Sequence, residues 1–109
     1  MRIAITGGAG FMGTALAGRL LSAGHSVTIL DGAPRIERVR HLLDGADIVA
    51  GWTQGAAVPG LAGMDTLVHL AWSADPGRSM ADLAGDAAAN IGPSIRLFEG
   101  ALLAGVPRI

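Results

Sequence analysis

With 109 residues and a net charge of -1, the chain has room for a single hydrophobic core but not for a separate substrate-binding lobe. Half of the residues are apolar, yet only two Trp and two Phe carry large rings, so Ala, Val, Leu and Ile must build the core; eight arginines scattered among nine acids exclude the basic stripe of a nucleic-acid binder. Cysteine, lysine and tyrosine are absent, which removes disulfides, thiolate metal sites, Schiff-base chemistry and phenolic acids. The composition suits a reducing, cytoplasmic location, and no apolar run is long enough for a membrane span.

In chain order, Met1 to Thr6 (MRIAIT) reads as a short buried strand, followed at once by glycines. From Phe11 to Ala23 the apolar residues Phe11, Met12, Leu16 and Leu20 recur at helical spacing, and Gly24 supplies the stop. Ser26 to Leu30 (SVTIL) is rich in β-branched residues and runs into Asp31-Gly32, a strand and a turn. Pro34 suits a helix first turn, and Ile36, Val39, Leu42 and Leu43 continue that helix to Asp44-Gly45. Asp47 to Ala50 is a weaker third strand, and the Gly-, Ala- and Pro-rich stretch from Gly51 to Gly63 is expected to be loop with one turn of helix at most.

Asp65 to Ala71 (DTLVHLA) is the clearest later strand, apolar on both faces as a parallel strand would be. Trp72 to Arg78 is expected to be a loop, Met80 to Ala104 a helix interrupted or kinked at Pro93, and Val106 to Ile109 the start of a further element. Alternating strands and helices predict an α/β fold: a Rossmann-like parallel sheet in the order 3-2-1-4, with helices on both faces.

The chemistry is concentrated in Thr6-Gly7-Gly8-Ala9-Gly10-Phe11-Met12-Gly13, a G-x-x-G-x-x-G spacing between a predicted strand and a predicted helix. Gly7 permits the turn, Gly10 lets backbone approach a pyrophosphate, and Gly13 lets the helix pack close to the strand, while the helix amino terminus offers N–H groups to phosphate oxygens. Seventeen glycines would produce some such spacing by composition alone. What separates this one is Asp31 at the end of the second strand, placed to accept hydrogen bonds from an adenosine ribose. The carboxylate favours NAD, with NADP as the alternative because Arg35 is near enough to reach a phosphate. As alternatives to these roles, Asp31 is a turn residue and Arg35 a solvated helix charge. His25, His41 and His69 lack ligand spacing; His69 is expected to be a hydrogen-bonded core residue, and Asp75, Asp82 and Asp86 a solvated face. Trp72 is placed at the ligand-binding end of a strand, and Trp52 is expected to be a packing residue of its loop.

Three stretches resemble the NAD-dependent epimerase/dehydratase family of extended short-chain dehydrogenases/reductases: TGGAGFMG, DTLVHLAW and NIGPSIRLFEGALLAGVPRI. The resemblance spans the chain but covers about the first third of such an enzyme. It implies that Gly7, Gly10, Phe11 and Met12 contact the pyrophosphate region, with Gly13 counted in the same cofactor-binding loop, Asp31 the adenosine ribose, Leu70, Ala71 and Trp72 the inner face of the cofactor, and that Asn90 helps order the active site. Gly51-Trp52-Thr53-Gln54 departs from a pattern that usually carries an adenine-facing aspartate, and Pro93, Ser94 and Arg96 replace the family's usual helix residues. The family's catalytic Ser and Tyr-x-x-x-Lys are missing, so these residues alone are expected to be inactive: a cofactor-binding amino-terminal part, with a self-standing nucleotide-binding or interaction module as the alternative. The edge of the fourth strand (Leu67 to Leu70) is then expected to be covered by self-association or by the remainder of a longer chain.

Overall fold

The computed structural model describes residues 1–109 as one four-stranded parallel sheet in the order β3-β2-β1-β4. Its elements are β1 (Arg2–Thr6), α1 (Phe11–Ser22), β2 (Ser26–Asp31), α2 (Ala33–Val39), β3 (Asp47–Ala50), β4 (Thr66–His69), α3 (Pro76–Ala81) and α4 (Leu83–Leu103). In register, Thr6 lies beside Leu30 of β2 and His69 of β4, so the three strand ends open at the same level.

Alternation along β1 and β2 assigns the two faces. Ile3, Ile5, Val27 and Ile29 pack with Ala17 and Leu43 on one side, while Ala4, Leu30 and Leu67 pack with Trp52, Leu61, Leu97, Ala101 and Val106 on the other. Ile5, Ile29 and Leu30 are fully buried, and each contributes about 1.5–3 kcal/mol relative to an exposed side chain. Among residues of β4 only Leu67 is fully buried, as befits the outermost strand of the sheet.

Four local expectations are corrected. The helix expected from Pro34 to Leu43 tightens after Val39 into a 3-10 turn at Arg40–Leu42. The stretch from Gly51 to Gly63, by contrast, is loop throughout, within the expectation. The strand expected to reach Ala71 ends at His69. The loop expected from Trp72 to Arg78 contains the start of α3: Asp75 caps it by accepting from the Arg78 N–H at 3.2 Å, and Pro76 fills the first helical position, where its missing N–H costs nothing. The long helix then begins at Leu83 rather than Met80, because Asp82 caps it through the Gly85 N–H at 2.9 Å. Pro93 lies buried within α4, which continues to Leu103.

Beyond α4, the Leu67 N–H donates to the Arg108 carbonyl at 2.9 Å. The segment expected to begin a further element thus makes one backbone bond to the outer edge of β4.

Candidate functional site

The glycine loop is shaped by three different demands. Gly7 has φ +69, donates its N–H to the Leu30 carbonyl at 2.9 Å, and would drive a Cβ to 2.6 Å from the Ala71 nitrogen. A Cβ on Gly8 would meet the Ile29 side chain at 2.8 Å, so this glycine seats the loop on β2. Gly13 allows close approach as expected, but its neighbour is the loop's own backbone, with Gly8 Cα 2.5 Å from its added Cβ, rather than a strand.

Gly10 is different. Its φ is -81, and an added Cβ would meet only the Gly7 carbonyl oxygen, at 3.2 Å. Neither a left-handed conformation nor close packing against a side chain requires glycine here, whereas a ligand seated on the loop would. Gly10 also caps α1 without a side chain, and the N–H groups of Phe11, Met12 and Gly13 have no acceptor within the chain. They form a cluster of free donors at the positive end of a 12-residue helix. Phe11 and Met12 project their side chains outward, 93% and 64% exposed, so their contribution at this point is the backbone.

Asp31 ends β2 with its carboxylate largely buried. Oδ2 accepts from the Ala9 N–H at 3.1 Å and Oδ1 from the Gly32 N–H at 2.7 Å. A carboxylate has about four acceptor directions, so two remain for a ligand. The turn role considered for this residue is therefore real, and Asp31 also ties the glycine loop to β2. Arg35, in the first turn of α2, places Nε 3.7 Å from Oδ1 and is more than half exposed.

At the strand ends lies a cleft of about 210 Å³ lined by Gly7, Asp31, Arg35, Trp52, Gln54, Leu70, Ala71, Trp72 and Ser73; Gly10 and the amides of Phe11, Met12 and Gly13 are not part of that lining. The cleft opens where the chain order reverses between β1 and β4, the position at which open parallel sheets take ligands. A larger cavity of about 500 Å³ between Ala56, Val58 and α4 is mostly apolar and lies away from the glycine loop; the smaller cleft is the candidate because Gly7, Asp31, Arg35 and the segment after β4 converge there. Trp72 is 55% exposed at its rim, while Trp52 is 7% exposed and packs in the core, its indole N–H bonded to the Ala56 carbonyl at 3.3 Å.

Behind the wall lies a polar network that pattern reading did not connect. Asn90 is fully buried and does not line the cleft; its Oδ1 accepts from the Ser73 N–H at 2.8 Å, and its Nδ2 donates to the Ser73 carbonyl at 3.2 Å and to Asp86 Oδ1 at 3.3 Å. The Gln54 amide donates to Asn90 Oδ1 at 3.4 Å. One side chain thus joins α4 to two cleft-lining loops. Ser94 Oγ donates to the Asn90 carbonyl at 2.7 Å, which leaves it to accept from His69 Nε2 at 2.9 Å. His69 Nδ1 must then accept from the Thr6 hydroxyl at 2.6 Å, fixing one neutral tautomer. Burial lowers the His69 pKa below its usual 6.5. His69 is hydrogen-bonded within the fold, as expected; of the three acids expected to form a solvated face, Asp75 and Asp82 cap helices and Asp86 bonds Asn90.

The sheet order, the glycine loop and the acid at the end of β2 define a Rossmann-like fold of the nucleotide-binding type. The chain belongs to the NAD dependent epimerase/dehydratase family, whose model matches residues 3–109. It is 36% identical to a UDP-glucose 4-epimerase of Mycolicibacterium smegmatis over the whole of this chain and 37% of that protein. It is also similar to the structure of a UDP-glucose-4-epimerase from Stenotrophomonas maltophila with bound NAD and formylated UDP-arabinopyranose, at 27% identity and a TM-score of 0.81, covering 97% of this chain and 34% of that one. A dTDP-glucose 4,6-dehydratase from Streptomyces venezuelae with NAD bound matches at 26% identity and a TM-score of 0.78, over 97% of this chain and 37% of the other. The chain therefore spans little more than a third of the length of these relatives.

Proposed function

We propose that the chain binds NAD as the cofactor-binding amino-terminal part of a nucleotide-sugar epimerase or dehydratase. The observation that carries this reading is the combination at Gly10: a glycine of ordinary φ whose added Cβ would press on one backbone oxygen, at 3.2 Å, beside three unpaired helix amides. Those amides suit a pyrophosphate, and the remaining acceptor directions of Asp31 suit the two ribose hydroxyls. Leu70 and Ala71 form the apolar wall, Trp72 the rim, and Asn90 holds Ser73 in place through its backbone. When bound, the cofactor supplies a hydride acceptor and donor; the residues present here bind and orient it.

Relatives crystallised with NAD, and with a nucleotide sugar or its analogue in one case, support this reading and the soluble character it implies. Their greater length supports the assignment of substrate binding and proton transfer to residues outside the sequence, and of the edge of β4 to pairing with such residues or with a second copy. The test is calorimetric titration of the purified protein with NAD. Saturable binding is expected to weaken by about tenfold or more in Gly10→Val, which places side-chain atoms over the free amides, and to weaken in Asp31→Ala. Unchanged affinity in Gly10→Val would sink the assignment.

A further inference from the structure

The crossover from β3 to β4 passes β2 and β1 with no helix between Ala50 and Thr66. Parallel strands are usually joined through one, and its side chains would cover the sheet beneath. Here Gly55 and Gly60, at φ +94 and +74, hold the backbone out of helical geometry. What remains between the crossover and α4 is a cavity of about 500 Å³. That volume falls within the range of about 300–1,000 Å³ found for small-molecule sites.

The lining separates into an apolar bed and one cation. Leu61 and Leu97 are buried members of the core, Ala56 and Val58 continue the same surface, and Leu103 stands on the solvent side, 90% exposed. Arg96 is the only charged residue of the lining. It forms no ion pair and no hydrogen bond within the chain, and Glu99, the nearest acid along α4, does not pair with it. Its guanidinium comes close to the crossover at Gly55, where an added Cβ would lie 3.4 Å from Nη2.

We infer that this cavity binds a small aliphatic carboxylate, with the chain laid on Leu61, Leu97 and Val58 and the head group held by the Arg96 guanidinium. Each methylene buried there strengthens binding by about fourfold, and a guanidinium meets a carboxylate with two parallel N–H bonds. Because Arg96 is exposed, the head group keeps water on its outer side, while a neutral or cationic head gains nothing from the cation. The cavity shares no lining residue with the cleft at the strand ends, so the inference stands independently of the NAD reading.

The experiment is calorimetric titration with decanoate, octanoate, decanol and decylammonium below their aggregation concentrations, with amide chemical shifts to locate the site. Decanoate is expected to saturate one site, to shift the amides of residues 55–61 and 96–103, and to bind about tenfold or more tightly than octanoate, which lacks two methylenes. Arg96→Ala is expected to weaken decanoate by about tenfold and to remove its advantage over decanol. Gly100 lines the cavity with nothing within 4 Å of an added Cβ, so Gly100→Leu fills the space from within α4 and is expected to abolish decanoate binding. Thermal unfolding verifies that both variants keep the fold. No saturable binding of decanoate, equal affinity for decylammonium, or an unchanged decanoate affinity in Arg96→Ala would overturn the inference. A wild-type dimer that Gly100→Leu dissociates would do so as well, because a second copy would then close the cavity. None of these results bears on NAD affinity, which is titrated separately.

Discussion

Replacing Gly7 by alanine should damage the fold before it damages any binding step. The native φ of +69 would force an L-residue into the left-handed region at about 1–2 kcal/mol. The added methyl would lie 2.6 Å from the Ala71 nitrogen, 2.7 Å from the Leu70 carbonyl carbon and 2.9 Å from the Ala71 Cα. These are backbone atoms of the segment after β4, unable to rotate away as a side chain would, and relief by shifting that segment adds about 1–3 kcal/mol. The combined cost of about 2–5 kcal/mol is a large share of the 5–15 kcal/mol typical of a domain's total stability. It corresponds to a fall in Tm of about 10 °C or more, read by thermal unfolding in circular dichroism. Gly18→Ala is the matched control, since nothing lies within 4 Å of its added Cβ and it is inside α1; it should gain about 0.5–1 kcal/mol. Gly7→Ala unfolding within about 2 °C of wild type, or Gly18→Ala falling alongside it, would refute the reasoning.

Asn90→Ala removes the acceptor of the Ser73 N–H and a donor to its carbonyl at a fully buried position, and should cost about 2–4 kcal/mol. Hydrogen exchange at the Ser73 amide should accelerate beyond the change in global stability; exchange that merely tracked unfolding would deny Asn90 its local role. A pH series tests His69, whose lowered folded-state pKa means that the unfolded chain takes up the proton first on acidification. The stability due to this group is complete above its usual pKa of 6.5 and is lost as pH falls from there through the lower folded value. His69→Asn should flatten that part of the stability profile, and an unchanged slope would assign it to other groups.

The first βαβ unit was legible because its signals are local: β-branched runs, glycines at the handover and Gly24 after α1. Asp31 was legible from its place at the end of β2, although its bond to the Ala9 N–H was not, since 22 residues separate the two. Asp75-Pro76 was a missed local signal, because a cap followed by a first-turn proline also resembles an ordinary loop dipeptide. Trp52, by contrast, combines a glycine-rich segment with burial that only the packing of α4 and β4 explains. The Thr6–His69–Ser94–Asn90 chain crosses β1, β4 and α4; each member is an ordinary polar residue until the register brings them together.

Asp31 holds the glycine loop through Ala9 before any ligand arrives, so the side chain proposed to read the ribose also preorganises the loop. An attempt to redirect cofactor preference by shortening or neutralising that residue would also slacken the loop it fastens, and weaker binding would then be mistaken for altered preference. Arg35, exposed and touching Asp31 only at 3.7 Å, can change without unfastening anything. Of this pair, the exposed cation is the adjustable neighbour and the buried acid is the anchor.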